Sequence, residues 1–306
     1  MMFDIIGRRF WFFTVSGVVI LVGIISLATF GLKTGVEFSS GSVMTVAFEQ
    51  EVNQREVGQE LVNLGHANAI IQRLGTGDFM IRLLELSSED KAKLEAGLRA
   101  GFGDLEVKEF DAVSPMVAAE TTRNAGIAVA IAAVGILLYL AWAFRKMPNP
   151  FHYGTCAIMA LLHDTMVALG VFSILGGILS WEINLMFVTG ILAVIGYSVN
   201  ATVVIFDRIR ENLLKGSTEF EVVVNTSVVE TLARSLNTAL TTTFVIVALL
   251  VFVGASIQNF CVVLLVGVVA GTHSSVCIAP SLLVVWKKGE WNRFIPWRQL
   301  TKKVAR

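Results

Sequence analysis

Charge is what this sequence has least of. Asp, Glu, Lys and Arg make up 16% of its 306 residues, hydrophobic residues make up 55%, and the mean hydropathy is +0.70. Soluble globular domains carry about 25% charge, so that class is excluded, and the apolar content is too high for a disordered chain. Cysteine is scarce too. Cys156, Cys261 and Cys277 all fall in or beside apolar runs, which leaves no disulfide for a domain outside the membrane and makes small apolar packing their simplest role. No His or Cys cluster has metal-ligand spacing, and no phosphate-cradling glycine loop or nucleophile elbow occurs, so no cofactor is indicated. Basic and acidic residues balance at 24 each, which makes no case for a nucleic-acid partner.

The position of the missing charge is more telling than its amount. No charged residue lies between Arg9 and Lys33, and a helix over that gap is long enough to cross a bilayer core of about 30 Å. Its far end makes a poor cleavage site, which predicts a retained anchor rather than a signal peptide. Further apolar stretches run from Asn124 to Phe144, Tyr153 to Leu179 and Ile183 to Phe206. Between Arg234 and Lys287 there is no charge at all, and the polar interruption Gly254 to Asn259 divides that run into two helices, giving six spans. Arg8, Arg9, Arg145, Lys146, Arg208, Arg210, Lys215, Arg234 and seven more from Lys287 to Arg306 all fall on one side, whereas the short turns near Ser180 to Asn184 and Gly254 to Asn259 carry no Lys or Arg. By the positive-inside rule both termini are cytoplasmic.

The segment from Lys33 to Thr122 then lies outside, with 8 basic and 15 acidic residues. It alternates strand-like and helix-like stretches: Val43 to Phe48, a helix Gln54 to Leu64, a hairpin of Ala69 to Leu74 and Phe79 to Leu84 around Gly75-Thr76-Gly77-Asp78, a helix Ser88 to Phe102, and Leu105 to Phe110. That order, βαββαβ, predicts a ferredoxin-like domain. The expected architecture is an α-helical polytopic membrane protein with a small α+β domain after the first helix: 1–32 as the N-terminus and first span, 33–122 as the outer domain, 123–286 as a five-helix bundle, and 287–306 as a basic tail.

Polar groups inside a bilayer are costly and mark interfaces or ion paths, so they are the candidate functional residues. Arg234, Asn237, Thr238, Thr241 and Thr242 share one stripe of the fifth helix; they suit a carboxylate or water chain, or simply a headgroup anchor with hydroxyls joining helices. Tyr197, Asn200 and Asp207 lie on a loose common face of the fourth helix that leads into Asp207-Arg208-Ile209-Arg210-Glu211-Asn212, itself polar enough to be a surface cap. Asp164, preceded by His163, is the only acid well inside a span; it suits a proton carrier or a merely tolerated residue. Gly267 and Gly271 have the small-xxx-small spacing of close helix packing, and His273 beside them has no supporting neighbour in sequence.

The run from Ile195 to Asn212, including Tyr197-Ser198-Val199-Asn200-Ala201-Thr202, closely resembles the fourth-helix signature of SecF proteins in the SecD/SecF protein-export family. Ala160-Leu161-Leu162-His163-Asp164 looks like the family's third-helix motif, Thr231 to Leu236 with Thr241 and Thr242 like the fifth, and Gly271 to Ser275 with Ile278-Ala279 like the sixth. The resemblance runs from Arg8 to about Lys288. It implies the resistance-nodulation-division type of membrane fold, with SecD supplying the other half. It further implies a bacterial inner-membrane subunit that uses the proton-motive force to help draw unfolded preproteins across the bilayer at the SecYEG translocon, and no enzyme activity. The implied partners are SecD, SecYEG, preprotein, protons and lipid; the implied proton-pathway and interface residues are Arg234, Asn200, Thr202, Asp164, Asp207, Asn237, Thr241 and Thr242.

Three departures from the family pattern stand out. Ala201 replaces the usual aspartate, and without an ionisable group it relays nothing. The glycine-flanked motif after the first helix reads Gly35-Val36-Glu37-Phe38-Ser39-Ser40-Gly41, with Glu37 where aspartate is usual, and His273 replaces a common tyrosine. Two other functions fit parts of the pattern: a small-molecule or lipid exporter of the same superfamily, which would normally carry both halves in one chain, and a non-conducting structural subunit of the translocon.

Overall fold

The computed structural model describes residues 4–74, 77–147, 149–216, 219–252 and 257–293. The turn residues Gly75 and Thr76, residues 254–256 of the polar interruption, and the basic tail beyond residue 293 lie outside the described residues.

Six helices are long and apolar enough to span a membrane. They are α1 (Arg9–Phe30), α5 (Pro115–Phe144), α6 (Pro150–Leu179), α7 (Leu185–Leu214), α8 (Phe220–Phe252) and a broken sixth built of α9 (Gln258–His273), a π turn (Ser274–Ile278) and α10 (Ala279–Lys288). The chain is a multi-pass membrane protein. The first span is polar toward the protein and apolar toward its surroundings: its buried residues are Arg9, Ser16, Gly23 and Ser26, while Val18, Leu21, Val22 and Ile25 are exposed. In lipid there is no hydrophobic gain in hiding leucine, so close backbone contact and hydrogen bonds set the packing face. Gly23 meets Gly170 of α6, where a Cβ on Gly170 would lie 2.6 Å from the Gly23 Cα, and Ser26 donates to Ser173 at 2.9 Å.

Between α1 and α5 the chain forms the short α2 (Val36–Ser39), β1 (Gly41–Phe48), α3 (Gln54–Asn63), β2 (Ile70–Arg73), β3 (Phe79–Leu83), α4 (Ser88–Phe102) and β4 (Leu105–Val113). The sheet order is β2-β3-β1-β4 with every neighbouring pair antiparallel, the split βαβ arrangement. Alternation places Phe79, Ile81 and Leu83 on one face beside Met44 and Val46, and Val57, Leu61, Leu94 and Leu98 of α3 and α4 cover them. Both helices have polar caps. Asn53 holds α3 through a reciprocal bond with Glu56, and the Ser87 hydroxyl accepts from the Asp90 amide at 3.2 Å.

The sheet is tied to the bundle along one seam. Gly35 N–H donates to the Ile183 carbonyl at 2.8 Å and Ile183 N–H to the Lys33 carbonyl at 2.7 Å, in the turn between α6 and α7. Arg82 of β3 binds Glu182 at 2.6 Å and the Thr34 carbonyl at 2.7 Å, and also reaches the Ser39 hydroxyl; Asn259 donates to the Glu182 carbonyl at 2.8 Å.

Candidate functional site

The bundle buries a carboxyl group deep along α6, together with the polar side chains that bind it. Asp164 lies 14 residues into the 30-residue α6, about 21 Å along it, and is 1% exposed. Three elements supply its partners. Ser198 of α7 donates to Oδ2 at 2.5 Å, Ser274 of the π turn donates to the same oxygen at 2.8 Å, and His163 Nδ1 lies 2.9 Å from Oδ1. Ser275 extends the cluster, with its hydroxyl 3.0 Å from Thr202 Oγ1 and 3.4 Å from the Ser198 carbonyl. A carboxyl group at this depth keeps its place only with such partners.

The local geometry has identifiable causes. Pro280 has no N–H and its ring crowds the preceding turn, so the helix widens into the π turn just before it. The wider turn leaves Ser274 and Ser275 both buried; such insertions recur at functional sites. Glycines clear the approach. A Cβ on Gly271 would lie 3.2 Å from Ser198 Cβ and 3.5 Å from Asp164 Oδ2, and one on Gly267 would lie 2.0 Å from a Val194 methyl.

The remaining residues marked out in the sequence sit elsewhere. Asn200 is exposed and Ala201 half-buried on α7, while Thr202, the next residue, turns inward to Ser275. Arg234, Asn237 and Thr241 are exposed along α8 and Thr242 is half-buried; Thr238, Thr241 and Thr242 bond back to carbonyls of their own helix, the ordinary habit of helical threonine. Arg234 lines a groove of about 660 Å³ between the C-terminal parts of α5 and α7 and the middle of α8, with Trp142, Arg145, Asp207, Arg208 and Glu230. Arg208 pairs with Glu211 at 2.5 Å and Glu230 at 2.6 Å, and Asp207 with Arg210 at 3.1 Å; among the described residues Arg234 forms no ion pair.

The motif from Gly35 to Gly41 belongs to the seam. Glu37 accepts a hydrogen bond from the Leu185 N–H and so places a carboxylate at the start of α7, where the helix dipole favours it. Gly41 has φ +122°, and a Cβ there would lie 2.6 Å from the Leu83 carbonyl, so the strand needs glycine at this point. Burial pushes the Glu182 carboxyl above its ordinary range, against the opposing pull of Arg82 and Lys33. Phe38 is half-buried on α2, with its carbonyl 3.5 Å from the Thr122 hydroxyl. Among the described residues no three His, Cys, Asp or Glu side chains gather as a metal site.

Sequence reasoning singled out Asp164 without Ser198, and left His273 without a neighbour. The fold supplies one: the His163 and His273 rings are 6.1 Å apart, centre to centre.

Comparison with known proteins agrees over nearly the whole chain. Residues 93–289 match the family model described as protein export membrane protein SecD/SecF, C-terminal, and residues 25–52 match the SecD/SecF GG motif. The protein translocase subunit SecF of Thermobaculum terrenum is 42% identical over 305 residues, covering 95% of this chain and 96% of that protein. The protein translocase subunit SecDF of Bacillus subtilis is 34% identical over 297 residues, covering 95% of this chain and 39% of its own length. A crystal structure of a Thermus SecDF, described as a translocon-associated membrane protein, superposes with a TM-score of 0.84 at 29% identity, over 94% of this chain and 39% of that one. The chain therefore belongs to the SecD/SecF family of protein-export membrane proteins, as a SecF-type accessory subunit of Sec translocation.

Proposed function

We propose that this subunit couples proton movement to protein export, with Asp164 as its own proton carrier and SecD as the partner that completes the membrane half of the machine. The observation that carries the reading is the Asp164 cluster. A lone carboxyl group deep in the bundle is bound by hydroxyls on α7 and on the π turn of the sixth span and by an imidazole of α6, so a change in its protonation alters the bonds that hold three spans together. A proton moved by about 150 mV releases roughly 3.5 kcal/mol, at 2.3 kcal/mol per 100 mV. That shifts a two-state packing equilibrium by more than about a hundredfold.

The uncovered face of α7 and α8 is the side we assign to SecD. Arg234, Asn237 and Asn200 are exposed there, and polar side chains left facing lipid are costly unless another chain covers them. A SecD carboxylate opposite Arg234 would supply the acid that Ala201 lacks. The basic residues at the opposite end from the sheet support cytoplasmic termini in a bacterial inner membrane, with residues 33–122 outside, where the acidic sheet domain meets unfolded preprotein emerging from SecYEG. The subunit acts by binding and conformational change, with no bond-forming chemistry of its own.

In cells lacking their own SecF, Asp164→Asn should leave membrane insertion intact while abolishing the proton-motive-force dependence of preprotein export. Export that keeps that dependence with Asn at position 164 removes the carrier role.

A further inference from the structure

Beside His163, α1, α6 and α9 border a cavity of about 380 Å³ that opens toward the surrounding bilayer. Its walls are mainly Val19, Val167 and Val269, and its polar lining is Ser16, His163 and His273. The Ser16 hydroxyl is buried with no hydrogen-bond partner, although Thr14 and Thr29 of the same helix both bond back to their own backbone carbonyls. His163 is nine-tenths buried, with Nδ1 on Asp164, and His273 stands beside it with its edge on Phe12 at 6.0 Å. The titratable groups facing His273 are His163 and Asp164; Phe12 and Ser16 of α1 and Ser198 of α7 are uncharged.

We propose that Ser16, His163 and His273 hold a bridging water, and that this triad is a proton inlet to Asp164 separate from the Arg234 face. Water is held inside a protein where the space exceeds its share of about 30 Å³ and two to four polar partners converge; the cavity supplies the space, and Ser16, His163 and His273 are the polar residues of its lining. The site accounts for the orphan hydroxyl of Ser16. The imidazole centres lie 6.1 Å apart, and the water would bridge their ring nitrogens. A hydronium ion that reaches the cavity gives its proton to His273 and leaves a neutral water behind; the imidazolium passes a proton through the bridging water to Nε2 of His163, and His163 releases its Nδ1 proton to Asp164 Oδ1. One proton enters and one leaves, and each imidazole returns to neutral.

This inlet rests on the carrier role of Asp164, and the test separates the two. The chain is co-reconstituted with SecD in proteoliposomes for proton flux, and in nanodiscs with ¹⁵N-labelled histidine for imidazole exchange with water. His273→Phe, which keeps the ring against Phe12, should lower flux at least about tenfold, a modest share of what a positioned acid–base group contributes. Ser16→Ala, which removes an oxygen with no protein partner, should slow exchange at His163 and lower flux several-fold, whereas a purely structural Ser16 would change neither. Unchanged flux and exchange in both variants, with flux abolished in Asp164→Asn, overturns the inlet and leaves the carrier standing. Flux that survives Asp164→Asn overturns both. A His163 N–H protected from water in the unmodified protein, as a lipid chain filling the cavity would cause, also overturns the inlet.

Discussion

Asp164 and Ser274 are joined by a 2.8 Å hydrogen bond where the sixth span widens into its π turn, so the carboxyl group holds the helix at its most irregular point. A hydrogen bond between membrane helices contributes about 0.6–1.7 kcal/mol. Ser274→Ala should lower unfolding stability in bilayers by about that amount, and Asp164→Leu by more, because it orphans Ser198, Ser274 and His163 together. A double-mutant cycle on Asp164 and Ser274, read by steric trapping, measures the coupling directly. Additivity of the two substitutions would mean that the bond contributes nothing.

Gly170 should be far less tolerant than Gly126. A methyl group at 170 meets the Gly23 backbone, so α1 and α6 must separate, at an overpacking cost of about 1–3 kcal/mol. Nothing lies within 4 Å of a Cβ built at Gly126 on α5, and Gly126→Ala should be neutral or slightly stabilising. Thermal unfolding of the two alanine variants in one detergent provides the comparison.

The seam should loosen as pH rises. Burial raises the Glu182 carboxyl above its usual value of about 4.3, which means that the folded seam favours the protonated acid despite Arg82 and Lys33. Its contribution is therefore fully present below the ordinary carboxylate range and is lost as pH climbs through the raised value. Hydrogen-exchange protection of the Gly35 and Ile183 amides should fall across that window, and Glu182→Gln should remove the pH dependence. Protection that rises with pH would contradict this.

Arg234→Ala should weaken association with SecD by about tenfold or more, if the arginine pairs with an acid across the interface. Arg234→Lys should restore only part of it, since lysine lacks the planar fork that fits a carboxylate. Titration of the purified subunits in nanodiscs gives the affinities. Equal affinity for all three proteins would move SecD to another face.

Charge-free runs and turn residues made the fold class readable from sequence. The helix from Ser88 to Phe102 has a serine cap before it and glycine after it, and the alternation in Phe79–Leu83 marks a half-buried strand. Residues 111–113 were less legible. Asp111 and Ala112 have poor strand propensity, and they extend β4 because β1 lies alongside, pairing Gly41 with Val113. The same limit applied to the site. An acid amid apolar residues marks itself, so Asp164 was visible; Ser198, Ser274 and Ser16 are ordinary helix residues until tertiary packing brings them to Asp164 or to an imidazole. Ser16 and Gly23 face inward on α1 seven residues apart, but a single apolar span has no hydrophobic contrast to reveal which side is inward.

The central claim is that Asp164 carries the proton, and the most direct test is proton flux through this chain co-reconstituted with SecD under an imposed membrane potential. The account predicts that Asp164→Asn abolishes the flux while the subunits remain assembled and folded. Undiminished flux with asparagine at position 164 would contradict it.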